Sequence, residues 1–394
     1  MLSRARLILL NIYHILVDGL FDAVPILLAF MALSFGAGEE AVGLIVSLGT
    51  AAGTAAGLGT LFVAGKLGFM QSIALVTAIC GSCFCAAAFA GTMVFAGLCF
   101  ILAVAGYNIF HNIAFSYLAL HTERRRLGRV ISDFTAIGDL GRIPLVSLAA
   151  FAAAHSLAGF SGWRVVCLAY GAATLVAALR LALSCRDEHT EQQKEAVSSR
   201  NFPSFGIFIR NRNLSLSMLS SILNAFSNDR IFTFLPLLLI AKGMDPKIIA
   251  SFALFFSIGA FLGKMVCGRL VDSFGSRKVF IAAQLLLTLL LCALIMTTQL
   301  VLIVIIALCL GIVTKGTVPV IQTIITEPVR EVSAYGDVFS INSFLRGITG
   351  MLTPLLFGFV ASTWGMNCIY AIMAVGAAVA VIPVLMMRQA DLAG

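Results

Sequence analysis

The chain has 394 residues, of which 60% are hydrophobic and only 11% are charged, less than half the charged fraction of an ordinary soluble domain. This composition excludes a soluble globular enzyme and indicates an integral membrane protein. The net charge of +8 does not indicate nucleic-acid binding, because the cations gather in short segments between apolar runs, as topology signals do.

Twelve apolar runs follow one another along the chain, each close to the 20 or so residues that an α-helix needs to cross a bilayer. We therefore predict an all-α membrane protein with twelve transmembrane helices. The predicted spans are residues 7–34, 41–63, 72–91, 94–120, 130–154, 163–184, 214–241, 247–270, 277–298, 300–326, 335–363 and 366–388.

A long polar segment at the midpoint divides these runs into two sets of six. It predicts an N-terminal six-helix bundle at residues 1–184, a cytoplasmic linker at 185–213 and a C-terminal six-helix bundle at 214–394. Such linkers are flexible or partly helical.

The first and seventh spans repeat a pattern. Moving along the chain by 211 residues carries Asp18 onto Asp229 and Pro25 onto Pro236. Internal repeats of this kind are typical of transporters, whose substrate and ion sites lie near the midplane. The repeat predicts that the two bundles are pseudo-symmetric.

Charged side chains inside apolar runs are costly and are usually kept for function. We expect proton coupling from the acids of spans 1, 5 and 7, although a static ion pair between helices is the alternative role for each. These acids are Asp18, Asp22, Asp139 and Asp229.

Four deep cations favour an anionic or zwitterionic organic substrate, because a guanidinium matches a carboxylate or a phosphonate and a lysine adds a point charge. Polar residues of spans 1 and 4 could line the same path or simply hydrogen-bond between helices. The candidate substrate-binding residues are His14, Asn108, His111, Arg142, Arg230, Lys315 and Arg346.

The ten cysteines lie in apolar runs, as small packing residues do. No metal site and no cofactor are expected. The expected energy source is a proton gradient. The sequence also lacks a nucleophile–base motif, a metal-binding His pair and a phosphate loop, so we do not expect an enzyme.

Residues 268–278, GRLVDSFGSRK, resemble the signature G-x-L-x-D-x-x-G-x-[RK]-[RK] of the major facilitator superfamily. The resemblance implies a cytoplasmic gate in which the Asp272 loop packs against the start of span 5. The gating residues so implied are Arg129, Asp133, Gly268, Asp272, Gly275, Arg277 and Lys278. The corresponding loop of the first half lacks the acid, so the matching contact of the cytoplasmic gate is not expected in that half.

Within that superfamily, His14 and Asp18 followed by Pro25 are similar to the fosmidomycin-resistance type of efflux protein. This resemblance implies a proton-coupled antiporter that exports a drug or metabolite by alternating access. Proton-coupled or facilitative import of an organic acid, and export of a siderophore, stay open. A non-transporting membrane sensor or assembly protein is the alternative of another class. We expect a monomer whose partners are its small-molecule substrate and the lipid bilayer.

The basic residues also orient the chain. With the N-terminus inside, 17 of the 26 Lys and Arg residues fall in cytoplasmic segments and three fall on the opposite side. Cytoplasmic loops carry an excess of Lys and Arg, so both termini are predicted to be cytoplasmic, in the inner membrane of a bacterium.

Reporter fusions test this topology. Fusions at residue 195 and at the C-terminus should read cytoplasmic, and one at residue 243 should read external, because only this orientation follows the cation distribution. A cytoplasmic signal at residue 243 would overturn the number of spans.

Overall fold

A computed structural model describes residues 4–122, 124–156, 159–184, 211–329 and 335–388. The described chain is almost entirely α-helical. It divides into two compact units, Met1–Asn201 and Phe202–Gly394. The predicted domain boundaries stay predictions, because most of the linker lies outside the described residues.

The described part of the first unit contains six long helices. They are α1 (Arg4–Phe35), α2 (Glu39–Leu67), α3 (Phe69–Ala88), α4 (Met93–His121), α5 (Arg124–Ala153) and α6 (Gly162–Ser184). Each overlaps one predicted span. Helix α1 packs against α5, α2 against α4, and α3 against both α4 and α6.

Within its described residues, the second unit contains seven α-helices and one short 3₁₀ turn. They are α7 (Arg212–Asn228), α8 (Ile231–Ala241), the 3₁₀ turn Pro246–Ile248, α9 (Ile249–Phe274), α10 (Ser276–Met296), α11 (Leu300–Thr326), α12 (Tyr335–Trp364) and α13 (Met366–Leu385). Helix α9 packs closely on α11, and α13 packs on α7 and α10.

The twelve predicted spans are therefore present, and the fold class is confirmed. Nine helices of the described part are long and apolar enough to cross a membrane by themselves. The other three predicted spans correspond to α2, to the charge-bearing α5 and to the pair α7–α8.

The seventh span differs from the prediction of one continuous helix, because α7 ends at Asn228 and α8 begins at Ile231. The Asp229 N–H still bonds to Ala225 O, but Phe234 N–H bonds back to Arg230 O and starts a new helix. Neither glycine nor proline stands at the break, so no local signal in the sequence predicts it. Long-range bonds hold the flanks instead: Asn228 donates to Thr314 O and Arg230 donates to Gly350 O.

Glycines let α1 and α5 approach closely. A methyl group at Gly141 would collide with the backbone oxygen of Ile15, and one at Gly19 would collide with Leu145. Gly138 likewise lies against the ring of His14. Small residues permit such close helix contacts in membranes, and here the contact brings the polar faces of the two helices together.

Replacing Gly141 by Ala should therefore destabilise the protein by about 1–3 kcal/mol through overpacking against backbone. Thermal unfolding in detergent measures the effect. Gly91→Ala is the matched control, since nothing lies within 4 Å of the added methyl group. Equal unfolding temperatures for the two variants would contradict the close α1–α5 contact.

Candidate functional site

The polar cluster of the first unit is built from three helices. On α1, His14, Asp18 and Asp22 are spaced by four residues, which places them on one face. Helix α5 contributes Asp139 and Arg142, and α4 contributes His111. The structure thus brings together six candidate residues that come from three separate spans; we call them the α1–α4–α5 cluster.

Arg142 is the centre of this cluster and contacts three carboxylates. Its NH1 lies 2.7 Å from Asp139 Oδ1, its Nε lies 2.8 Å from Asp22 Oδ2 and its NH2 lies 3.4 Å from Asp18 Oδ2. The Arg142 side chain is 14% exposed and that of Asp18 is 4% exposed. One guanidinium therefore serves three acids in a largely buried setting.

The two histidines converge on the other oxygen of Asp18. The Nε2 atoms of His14 and His111 lie 3.3 and 3.2 Å from Asp18 Oδ1 and 3.0 Å from each other. Asp18 Oδ1 is buried and forms no aligned hydrogen bond with any of the described residues. We call these three residues the His–His–Asp triad.

Backbone carbonyls fix the protonation of both rings. The Nδ1 of His14 lies 2.9 Å from Phe134 O and the Nδ1 of His111 lies 3.0 Å from Tyr107 O. A carbonyl oxygen only accepts, so each Nδ1 must carry a proton and donate it. In the neutral ring the other nitrogen is then an acceptor.

The triad therefore brings three acceptors together: two Nε2 lone pairs and a carboxylate oxygen. Three acceptors at hydrogen-bond distance require at least one additional proton, either on a ring or on Asp18. This follows from hydrogen-bond accounting alone.

The same three donor atoms lie within 4.8 Å of one another, which is close enough for a metal ion. Both Nδ1–H groups already bond to carbonyls, as metal-ligating histidines commonly do. The Nε2–Nε2 distance of 3.0 Å is nevertheless that of an N–H···N hydrogen bond, and Arg142 brings a positive charge to the same carboxylate. The arrangement therefore suits a proton better than a dication.

Aromatic rings hold the triad in place. Phe134 stacks on His14 with ring centroids 3.9 Å apart, and Tyr107 packs against His111 at 4.3 Å. On its other side Tyr107 stacks on Phe21 at 3.8 Å. Phe134 and Gly138 thus pack against the His14 ring, and Tyr107 packs against the His111 ring.

The second unit carries a smaller charged cluster. Arg346 NH2 lies 2.8 Å from both oxygens of Asp229, while its NH1 donates to the Ser221 carbonyl at 3.2 Å. Ser221 in turn donates to Asn342 at 2.7 Å. The Asp229 side chain is 34% exposed, so this pair is much more open than the Asp18 site. Arg230 follows Asp229 at the α7–α8 break.

A buried amide network beside this cluster was not predicted from the sequence. Gln284 donates to Asn224 Oδ1 at 2.6 Å, and Asn228 donates to Thr317 at 3.0 Å. The four-residue spacing of Asn224 and Asn228 places both amides on one face of α7. This spacing was the feature of the sequence that could have indicated the network. The network ties α7 to α10 and α11.

Two other predicted site residues lie on α4 and α11. Asn108 donates to Val104 of its own helix at 3.1 Å and packs over Gly53. Lys315 is half-buried on α11. The role of each as a substrate ligand stays a prediction.

The predicted gating residues of the second unit lie around the α9–α10 turn. Gly275 joins the two helices with a φ of 82°, a conformation that favours glycine. Asp272 is exposed, and Arg277 donates to the carbonyls of Met387 and Arg388. In the first unit Asp133 is exposed on α5, while the side chain of Arg129 lies outside the described residues.

Twelve apolar spans, two helical units and charged clusters within the spans are typical of a polytopic membrane protein of the transporter class. A family model described as Major Facilitator Superfamily matches residues 7–263 and 218–392. The chain belongs to this superfamily. Its members bind small-molecule substrates in the membrane and are not enzymes.

Solved structures share the fold at low sequence identity. A bacterial homologue of the human lysosomal transporter Spinster is 14% identical, with a TM-score of 0.76 over 98% of each chain. The nucleoside transporter NupG is 15% identical, with a TM-score of 0.76 over 97% of this chain and 99% of that chain. A D-xylose-proton symporter is 13% identical, with a TM-score of 0.76 over 95% of each chain.

No curated protein sequence matches the chain. At these identities the structural likeness shows the fold alone.

Proposed function

We propose that the protein is a secondary active transporter that moves a small anionic or zwitterionic organic molecule by alternating access, coupled to protons and in the direction of efflux. The observation that carries this proposal is the His–His–Asp triad, in which two Nε2 atoms lie 3.0 Å apart beside a buried carboxylate oxygen that has no aligned hydrogen bond. Because both Nδ1 atoms carry the ring protons, this arrangement needs an additional proton. A proton held at a buried site on α1 is what a coupled transporter must load on one side of the membrane and release on the other.

The balance of charges supports coupling at Asp18. With both imidazoles neutral, Arg142 faces the carboxylates of Asp18, Asp22 and Asp139, and the α1–α4–α5 cluster carries two net negative charges. Buried net charge is costly, so a proton stabilises the closed, water-excluded cluster. Release of that proton favours a conformation in which water or another cation reaches Asp18. The proton thus biases one conformation over another, as coupling requires.

The second unit is the better candidate for binding the substrate anion. Arg142 is already surrounded by its own acids, whereas the ion pair that the described residues give Arg346 is with Asp229, which is partly exposed. A substrate carboxylate or phosphonate can replace Asp229 at the Arg346 guanidinium, with Arg230 and Lys315 as further cations of the same unit. Asp229 is then the second acid that can take up a proton.

Export is supported by the resemblance of His14, Asp18 and Pro25 to the fosmidomycin-resistance type. The D-xylose-proton symporter has the same fold, so proton-coupled import is the second candidate. The basic loops support an inner-membrane protein of a bacterium with both termini cytoplasmic, acting as a monomer. A non-transporting sensor differs from all of these in moving no substrate.

Asp18→Asn separates coupling from folding. The asparagine amide can donate one hydrogen to each Nε2 atom while its oxygen accepts from Arg142. The two lone pairs are then satisfied by the amide, and the additional proton is no longer needed. We expect uphill, pH-gradient-driven transport to be abolished, while substrate binding and downhill exchange stay close to wild type. A substrate screen in proteoliposomes, with and without a pH gradient, measures both.

Glu40→Gln is the matched control, because it removes an exposed carboxylate of the same unit and should leave gradient-driven accumulation unchanged. If Asp18→Asn accumulates substrate as well as wild type, Asp18 is only a member of a structural ion pair, and Asp229 becomes the next coupling candidate. Absence of any flux across an organic-anion panel would favour the non-transporting class.

A further inference from the structure

The second unit contains an apolar groove of about 500 Å³ between α9, α10 and α11. Its walls include Val266, Leu270 and Phe274 of α9, Leu286 of α10 and Ile312 of α11. We call it the α9–α10 groove. The transport mechanism proposed above makes no use of it.

The groove exists because α9 follows α11 rather than α10. Methyl groups at Gly259 and Gly263 of α9 would collide with the backbone of α11, as would one at Gly311 with the backbone of α9. These glycines hold α9 against α11. Helix α10 follows α9 after the turn at Gly275 and packs mainly on α11 and α13. The two helices leave a trough between them.

The walls of the groove are open at its surface. Val266 is 45% exposed, Phe274 is 61% exposed and Leu286 is 45% exposed. Apolar side chains that are exposed on membrane spans are suited to contact with acyl chains. The groove is also large enough to hold an acyl chain.

A cation, Lys278, lies at one end of this apolar trough. It lines the groove and is exposed in the first turn of α10. Its neighbour Arg277 is held by the carbonyls of Met387 and Arg388, whereas no described residue forms an ion pair or hydrogen bond with the Lys278 ammonium. The nearby acid Asp272 is two residues beyond Leu270, or about 200° around α9, so it faces away from the groove.

We propose that the α9–α10 groove binds an anionic phospholipid of the bilayer, with an acyl chain along the trough and the phosphate group at Lys278. An apolar trough that ends in a cation without a partner among the described residues complements an amphiphile with a negative head group. Basic pockets at the cytoplasmic ends of membrane helices bind anionic head groups in this way. The lining of the groove includes neither Arg346 nor Asp229.

Native mass spectrometry of delipidated protein in detergent tests the proposal. Wild type should retain dioleoyl phosphatidylglycerol over the zwitterionic dioleoyl phosphatidylcholine by about fivefold, the effect of roughly one cation at a membrane surface. Lys278→Gln should remove this preference, and Lys278→Arg should keep it. Lys247→Gln is the control, because it removes an exposed lysine outside the groove.

A second variant tests the trough itself. Ala282 lines the groove and is exposed, so Ala282→Trp can fill the trough without disturbing a buried contact. It should lower the retention of phosphatidylglycerol, while excess inorganic phosphate should not displace the lipid from wild type. The proposal would be overturned if wild type retained the two lipids equally, or if Lys278→Gln kept the preference. It would also be overturned if wild type formed a dimer that Ala282→Trp abolishes, because the groove would then bind a second copy of the chain.

Discussion

The single guanidinium of Arg142 and the three carboxylates around it impose the main constraint on the first unit. Charges inside a membrane protein need partners, and Asp18, Asp22 and Asp139 can share Arg142 only where α1 and α5 nearly touch. Gly138 and Gly141 make that contact possible by leaving room for His14 and for the α1 backbone. The three acids of the cluster outnumber its one guanidinium, which is why we propose that the His–His–Asp triad binds an additional proton.

The two repeats place their equivalent acids, Asp18 and Asp229, in different surroundings. Helix α1 is continuous through Asp18, which is buried beneath two histidines, whereas the equivalent region of the second unit breaks at Asp229 and Arg230 between α7 and α8. Discontinuous helices are a common feature of transporter binding sites. In the function that we propose, the buried acid of the first repeat holds a proton, and the more exposed acid–arginine pair of the second exchanges its acid for a substrate anion.

The spans could be predicted well from the sequence, because long apolar runs and cation-rich loops are dictated by the bilayer itself. His14, Asp18 and Arg142 could also be singled out, since charged side chains in apolar runs are conspicuous. The meeting of His111 with Asp18 could not be predicted, because that contact depends on how α4 packs against α1. The break at Asp229 could not be predicted from the sequence either. No glycine or proline stands there, and the flanking residues Asn228 and Arg230 are held by long-range hydrogen bonds.

The central claim is that His14 and His111 both carry Nδ1–H and that an additional proton lies among their Nε2 atoms and Asp18. Solid-state NMR of protein in lipid, with ¹⁵N-labelled histidine and ¹³C-labelled aspartate, tests it directly once His121, His155 and His189 are replaced by glutamine. We expect two protonated Nδ1 atoms and one further proton, on a ring or on the carboxyl, that is absent from Asp18→Asn. An Nε2–H tautomer with a bare Nδ1 on either ring would contradict this claim, because that ring would then satisfy Asp18 without any additional proton.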